Sequence, residues 1–182
     1  MQMRIGILEA APATTRLDLV AEPVAAALRA WSGPVPADEI GVAEIDPDLA
    51  DTAAFCQRYE VGLDESANCV VVAARRGGET RFAACVVLAT TRADVNNLVR
   101  RHLDARRASF APLDAAVAET GMEYGGITPI GLPGHWPILV DAAVAASPRV
   151  VVGSGLRRSK LTLPGKALAD LDGAEVLEGL GR

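Results

Sequence analysis

Apolar positions in this chain come in short runs rather than long periodic stretches. Residues 69–74 and 82–89 are continuous apolar segments separated by Arg75-Arg76-Gly77-Gly78-Glu79. A Gly-Gly pair between such segments favours a tight reversal, because both residues can take positive φ. The pattern therefore predicts two antiparallel, well-buried strands. Shorter runs at 42–45, 138–140, 150–152 and 161–163 read as further strands, with 4–8 and 175–177 near the ends. Helices are marked differently. Pro23 suits a first turn, and Val24, Leu28 and Trp31 follow at helical spacing until Ser32-Gly33-Pro34. Asp51-Thr52 opens a helix to about Tyr59 that buries Ala53, Phe55 or Cys56, and Tyr59. Asp94 caps another to about Leu103, Pro112 begins one that ends at Gly121, and residues 166–171 form a last short one. Strands and helices mix without βα regularity, so a mixed α/β (α+β) fold is expected rather than a doubly wound sheet.

Composition narrows the class. The chain has 182 residues, enough for one hydrophobic core, and half of them are apolar while aromatics make up only 4%. The core must be built from small aliphatic side chains. The first ten residues lack the long apolar centre of a signal peptide, and no stretch approaches the ~20 apolar residues of a membrane span. Cys56, Cys69 and Cys85 lack metal spacing, which points to a reducing, cytoplasmic setting without disulfides. The net charge of −5 argues against a general nucleic-acid coat and leaves room for a local basic patch.

Known catalytic signatures are missing: there is no Walker A loop, no G-x-S-x-G and no H-E-x-x-H, and the only histidines are His102 and His135. What remains is backbone-rich. Gly125-Gly126-Ile127-Thr128-Pro129-Ile130-Gly131 packs three glycines and a proline into seven residues, which excludes a helix or regular strand. Such a loop is either a tight connection or a site that grips a small polar group with main chain. Gly153-Ser154-Gly155 follows an apolar strand and is either a strand-end turn or a second place for close ligand approach. Asp141 caps a helix or faces a cleft, and Asn68 is a turn residue or presents its amide to a site. Arg100, Arg101, Arg106 and Arg107, and separately Arg157, Arg158 and Lys160, form basic runs. These are solvated faces or phosphate contacts. A Ser154–His135–Asp141 triad can be written on paper, but nothing in the spacing supports it.

These segments, in this order, resemble the YbaK/EbsC-like aminoacyl-tRNA editing domains related to the insertion domain of bacterial prolyl-tRNA synthetases. The 125–131 loop is similar to the family's glycine-rich signature with its Gly-x-x-x-Pro core from Gly125 to Pro129. Trp136-Pro137-Ile138-Leu139-Val140-Asp141 resembles its proline-apolar-Asp segment, and residues 150–161 resemble its strand, small-residue loop and basic hairpin. The resemblance covers about three quarters of the chain. It implies a partly barrel-like mixed sheet flanked by helices, with residues 1–40 an N-terminal extension packed on an editing domain at 41–182. It also implies a free-standing deacylase of translation fidelity, hydrolysing the ester of a small misacylated amino acid, such as Ala or Cys on tRNA for proline. No metal or organic cofactor is implied, nor are membrane or DNA partners. Aminoacyl-tRNA is the expected partner, with an aminoacyl-tRNA synthetase as a second.

By the same resemblance Gly125, Gly126 and Asn68 are the catalytic candidates. Ile127, Thr128, Pro129, Asp141, Gly153, Ser154 and Gly155 are expected to bind substrate. Arg100, Arg101, Arg106, Arg107, Arg157, Arg158 and Lys160 are expected to contact tRNA. One departure stands out. Family members usually carry a lysine just before the strand that begins at Cys69, and this chain has Asn68 there. Its only lysines, Lys160 and Lys166, are remote in sequence. The alternative to a deacylase is therefore a non-catalytic module that binds tRNA or a synthetase. A third reading is a different hydrolase using His135 or Asp141.

Overall fold

The computed structural model describes residues 3–182, whose strands form two five-stranded sheets. The first sheet contains β1 (Met3–Ile5), β2 (Leu8–Pro12) and β3 (Gly41–Glu44). The second is built around a long hairpin, β4 (Ala67–Arg76) and β5 (Glu79–Leu88), with β6 (Arg107–Phe110) and β7 (Ile138–Asp141) on either side. β8 (Val150–Gly153) and β9 (Ser159–Leu163) return to the first sheet, and β10 (Ala174–Leu177) closes the second. The orders are β1-β2-β3-β9-β8 and β10-β7-β5-β4-β6. The first sheet is antiparallel throughout, while β7 runs parallel to both β5 and β10. The expected mixed α/β fold is what the chain adopts.

The sheets meet at one edge of β4. Its C-terminal half pairs with β6 from Val72 to Arg75, and Ala111 N–H extends that contact to the Val71 carbonyl. At its N-terminal end, Ser66 makes a parallel bridge to Val151 of β8. Between these contacts residues 67–70 have no strand partner on that edge among the described residues. The curled sheet therefore has a slot in its wall.

Among the described residues six α-helices flank the sheets: α1 (Glu22–Arg29), α2 (Thr52–Tyr59), α3 (Arg100–His102), α4 (Leu113–Thr120), α5 (Ala142–Ala145) and α6 (Gly165–Ala169). Local chemistry explains their bounds. Pro23 lies in the first turn of α1, and Gly121 ends α4 at φ 68°. The turn between β4 and β5 is Gly77-Gly78, at φ 60° and 80°.

Several elements depart from the sequence expectation. The strand expected at 4–8 is a hairpin, because Gly6 turns the chain at φ 56° between β1 and β2. Ala53 is exposed, while Phe55, Cys56 and Tyr59 are buried as expected. The helix expected from Asp94 is a π-helical turn over Val95–Val99 running into the short α3. β6 has no apolar run to announce it, and backbone pairing alone makes it a strand. β9 begins two residues before the expected Leu161, which takes Ser159 and Lys160 out of the solvated loop and into the sheet.

Residues 13–40 contribute to the main core. Val24, Ala25 and Leu28 of α1 pack in one cluster with Val86, Val140, Val152 and Leu161. Leu28 is fully buried there, so Leu28→Ala should cost about 2–5 kcal/mol by urea unfolding. A loss below about 0.5 kcal/mol would mean that α1 is an appendage.

Candidate functional site

The slot beside β4 opens into a cavity of about 430 Å³. Its floor is the unpartnered stretch of β4 with Asn68 and Cys69. One wall is Gly125 and Ile127, another is Val152, Gly153 and Lys160, and Ala50, Asp51 and Thr52 precede or open α2. At the mouth stand Phe110, Leu113 and Tyr124, all more than half exposed. Small side chains such as Ala67, Ala116 and Val71 make the walls apolar, and a few polar groups punctuate them. That is the usual make-up of a small-molecule site.

The two glycine-bearing loops form one wall because they touch through their backbones. Gly155 N–H donates to the Gly126 carbonyl at 2.7 Å. A Cβ on Gly153 would sit 2.5 Å from that carbonyl oxygen, and one on Gly126 would sit 2.9 Å from the backbone of Leu156. Neither position has room for a side chain. Gly125, at φ 79°, lies beneath the Arg157 guanidinium, which donates to the Tyr124 carbonyl at 3.2 Å and reaches Asp51 at 3.5 Å.

The backbone of the 125–131 loop is unevenly committed. Gly126 N–H donates to the Glu123 carbonyl at 2.9 Å, so both of its main-chain groups already have backbone partners. The N–H groups of Gly125 and Ile127 have no partner among the described residues, and both residues line the cavity. Thr128 is fully buried and its N–H faces the Met122 sulfur. Pro129 lines a second cavity with Trp31 and Leu132, behind the loop. Thus Ile127 lies at the first cavity, but Thr128 and Pro129 do not.

Other expected residues separate in the same way. Gly153 lines the cavity, while Ser154 and Gly155 are buried behind it. The Ser154 hydroxyl is tied to its own hairpin through Leu156 and Ser159. His135 is exposed on a loop and is not among the residues that line the cavity. Asp141 ends β7, 5% exposed, and a Cβ on Gly181 would sit 3.1 Å from its carboxylate. It is packed beneath the C-terminal segment, away from the residues that line the cavity. Arg100 donates to the Asn96 carbonyl. Arg101 lines a separate cavity with His102 and Arg182, and Arg107 lies opposite Arg75 at the far end of β6 from Phe110. Arg106 is exposed in the turn before β6, and Arg158 is held by the Asp18 carbonyl.

Lys160 is the largest correction. It is 8% exposed and lines the cavity, so it is not a surface phosphate contact. It pairs with Gly153 in the β8–β9 register, and both residues lie on the cavity wall. Its ammonium donates to the Ala50 carbonyl at 3.0 Å and lies 5.1 Å from the Phe55 ring centre. The cavity that holds Asn68 therefore also holds a lysine from a distant strand. Asn68 itself is oriented by Thr52, whose hydroxyl donates to the amide oxygen at 2.7 Å. Nothing in the local sequence around 160 could show this, because the arrangement depends on β8 and β9 pairing in this register.

Burial sets the electrostatics. It lowers the Lys160 pKa from the ordinary 10.5 to about 8, with nearby Cys56 and Asp51 favouring the charge and Arg157 opposing it. Burial pushes the Cys69 thiol far up, and Cys85 to about 12, so the cysteine in this cavity is a neutral thiol rather than a nucleophile. No group of three or more His, Cys, Asp or Glu residues suited to a metal occurs among the described residues. No helix described is long and apolar enough to cross a membrane.

The model of the aminoacyl-tRNA editing domain family matches residues 46–171, more than half of the chain. Among solved structures, one described as a candidate trans-editing enzyme for prolyl-tRNA synthetase superposes with a TM-score of 0.71 at 20% identity, covering 86% of this chain and 93% of that one. A scaffold carrying a computationally grafted epitope gives 0.71 at 22% identity, covering 87% and 95%. A hypothetical protein gives 0.68 at 19%, covering 78% and 90%. At these identities the structures speak for a shared fold.

The buried ammonium makes a prediction about stability. Between pH 8 and 10.5 the unfolded chain holds a proton on Lys160 that the folded chain has lost, so this group makes stability rise with pH across that window. Lys160→Met removes the effect. The stability of the variant relative to wild type, from denaturant unfolding, should be highest below pH 8 and decline toward pH 10.5. A difference that stays flat would show that Lys160 is solvated in the folded state.

Proposed function

The chain belongs to the aminoacyl-tRNA editing domain family, and from that premise we propose that it is a trans-acting deacylase for a small amino acid wrongly esterified to tRNA. The observation that carries this reading is the convergence of Asn68, Gly125, Ile127, Gly153 and Lys160 on one small-walled cavity. The aminoacyl group enters the slot. Asn68 and the free N–H groups of Gly125 and Ile127 supply hydrogen-bond donors around the ester, as oxyanion-type sites do. Water adds to the carbonyl carbon, the bond to the ribose oxygen breaks, and the proton from water passes to the departing hydroxyl. A second ribose hydroxyl helps orient the water, which agrees with the lack of a histidine or carboxylate general base among the cavity residues other than the rim Asp51.

Size selects the substrate. Alanine or cysteine on tRNA for proline fits a cavity walled by Ala and Val, although one methylene is worth only ~1–3 kcal/mol of discrimination. The terminal base rests on the exposed Phe110, Leu113 and Tyr124, and β6 then leads away from the mouth toward Arg107 and Arg106, where acceptor-strand phosphates are bound. Arg100, Arg101 and Arg158 extend the basic surface, and Arg157 braces the rim. The reaction belongs to the cytoplasm, where charged tRNA is found, and a synthetase is a fitting partner.

The alternative, a binding module without catalysis, draws on the resemblance, which implies a lysine at the position of Asn68. A panel of mischarged tRNAs decides between the two. The deacylase reading expects hydrolysis above buffer, and a loss of about 5- to 10-fold in kcat/KM for Asn68→Ala, the effect of one neutral hydrogen bond. A folded wild type with no hydrolysis, together with activity gained in Asn68→Lys, would establish the module instead.

A further inference from the structure

Lys160 is a cation without an anion. Lysines are almost never buried unless paired, yet no carboxylate lies within ion-pair distance of this one among the described residues. Its three donors meet one acceptor, the Ala50 carbonyl, and its charge faces the Phe55 ring. Two of its donors have no acceptor among the described residues, and the residue lines the cavity. The Asn68 amide nitrogen, its oxygen occupied by Thr52, and the N–H groups of Gly125 and Ile127 add further donors, while the rim carboxylate of Asp51 is engaged by Arg157. A cavity so rich in donors is complementary to an oxygen acceptor on which negative charge gathers.

Resting on the deacylase reading, we propose that the Lys160 ammonium grips the carbonyl oxygen of the acyl ester. As water adds to the carbonyl carbon, the electron pair moves onto that oxygen, and Lys160 stabilises it through a charged hydrogen bond. When the carbonyl re-forms, the bond to the ribose oxygen breaks and that oxygen takes the proton released by water. Lys160 keeps its own proton throughout. The positive charge is thus supplied from β9, across the cavity from the position where Asn68 stands. It follows that adding a lysine at 68 crowds two ammonium groups into one pocket and weakens the site.

The chain suits a direct test because Lys160 and the exposed Lys166 are its only lysines. Protein labelled with 13C at lysine Cε gives two signals. The probe is 3′-alanylamino-3′-deoxyadenosine, an amide that keeps the acyl carbonyl and resists hydrolysis. Saturation with it should shift the Lys160 signal and raise its titration above about 8, leaving Lys166 unchanged. Lys160→Met should weaken probe binding about 10-fold and cut kcat/KM for deacylation about 100-fold, with cooperative unfolding retained. Asn68→Lys should lower activity. The wild-type enhancement over buffer should fall above pH 8 as the ammonium is lost, whereas the residual rate of Lys160→Met should lack that fall. If wild type hydrolyses mischarged tRNA while the probe fails to bind or leaves Lys160 unmoved, the assignment of Lys160 is overturned and the deacylase reading stands. If wild type hydrolyses nothing but the probe moves Lys160, the carbonyl contact is upheld and the deacylase reading falls.

Discussion

The structure turns on how one edge of β4 is shared. β6 takes the C-terminal half of that edge and β8 touches its N-terminal end, while residues 67–70 between them pair with neither. A strand edge normally has to be covered or paired. Here it becomes the floor of a cavity, and the two glycine-bearing loops close over it. Their backbone contact, with Gly155 N–H on the Gly126 carbonyl and no room for a side chain at Gly153, fixes the wall to within the tolerance of a hydrogen bond. The glycines thus serve two ends. Gly126 and Gly153 let the loops meet, and Gly125 with its neighbour Ile127 leaves two N–H groups uncommitted beside the cavity.

The same geometry traps Lys160. This long cationic side chain, paired with Gly153 across β8 and β9, is buried on the cavity wall, and burial lowers its pKa to about 8. Folding carries the cost of holding a charge with one carbonyl and one aromatic face for company. A ligand oxygen in the cavity would offset it. Stability and chemistry are linked through this residue, because the feature that weakens the free protein is the one that would favour a developing oxyanion.

Much of the fold was legible in the sequence. The Gly77-Gly78 hairpin, the Pro and Gly boundaries of α1 and α4, and the short apolar strands β7 and β8 are all local signals, and local chemistry decides them. β6 was not legible, because an Arg-Ala-Ser-Phe segment has no period and becomes a strand only through its partner β4. The site divided along the same line. Loop composition pointed to Gly125, Ile127 and Gly153, and the family resemblance pointed to Asn68, all of which line the cavity. Neither could say that Gly126 spends both main-chain groups on its neighbours or that Thr128 and Pro129 face elsewhere. Lys160 was hidden most completely. In sequence it ends a basic run, and only its inward register on β9 makes it part of the site.

On the proposed chemistry, acyl carbonyl, Lys160 and Asn68 meet in the slot beside β4. The most direct measurement is a crystal structure of the chain soaked with the non-hydrolysable alanyl-adenosine amide. The alanyl group should lie between β4 and the 125–131 loop, with its carbonyl oxygen about 2.7–3.0 Å from the Lys160 nitrogen. A probe seated instead in the second cavity beside Trp31, or one in the slot with its carbonyl turned away from Lys160, would contradict it.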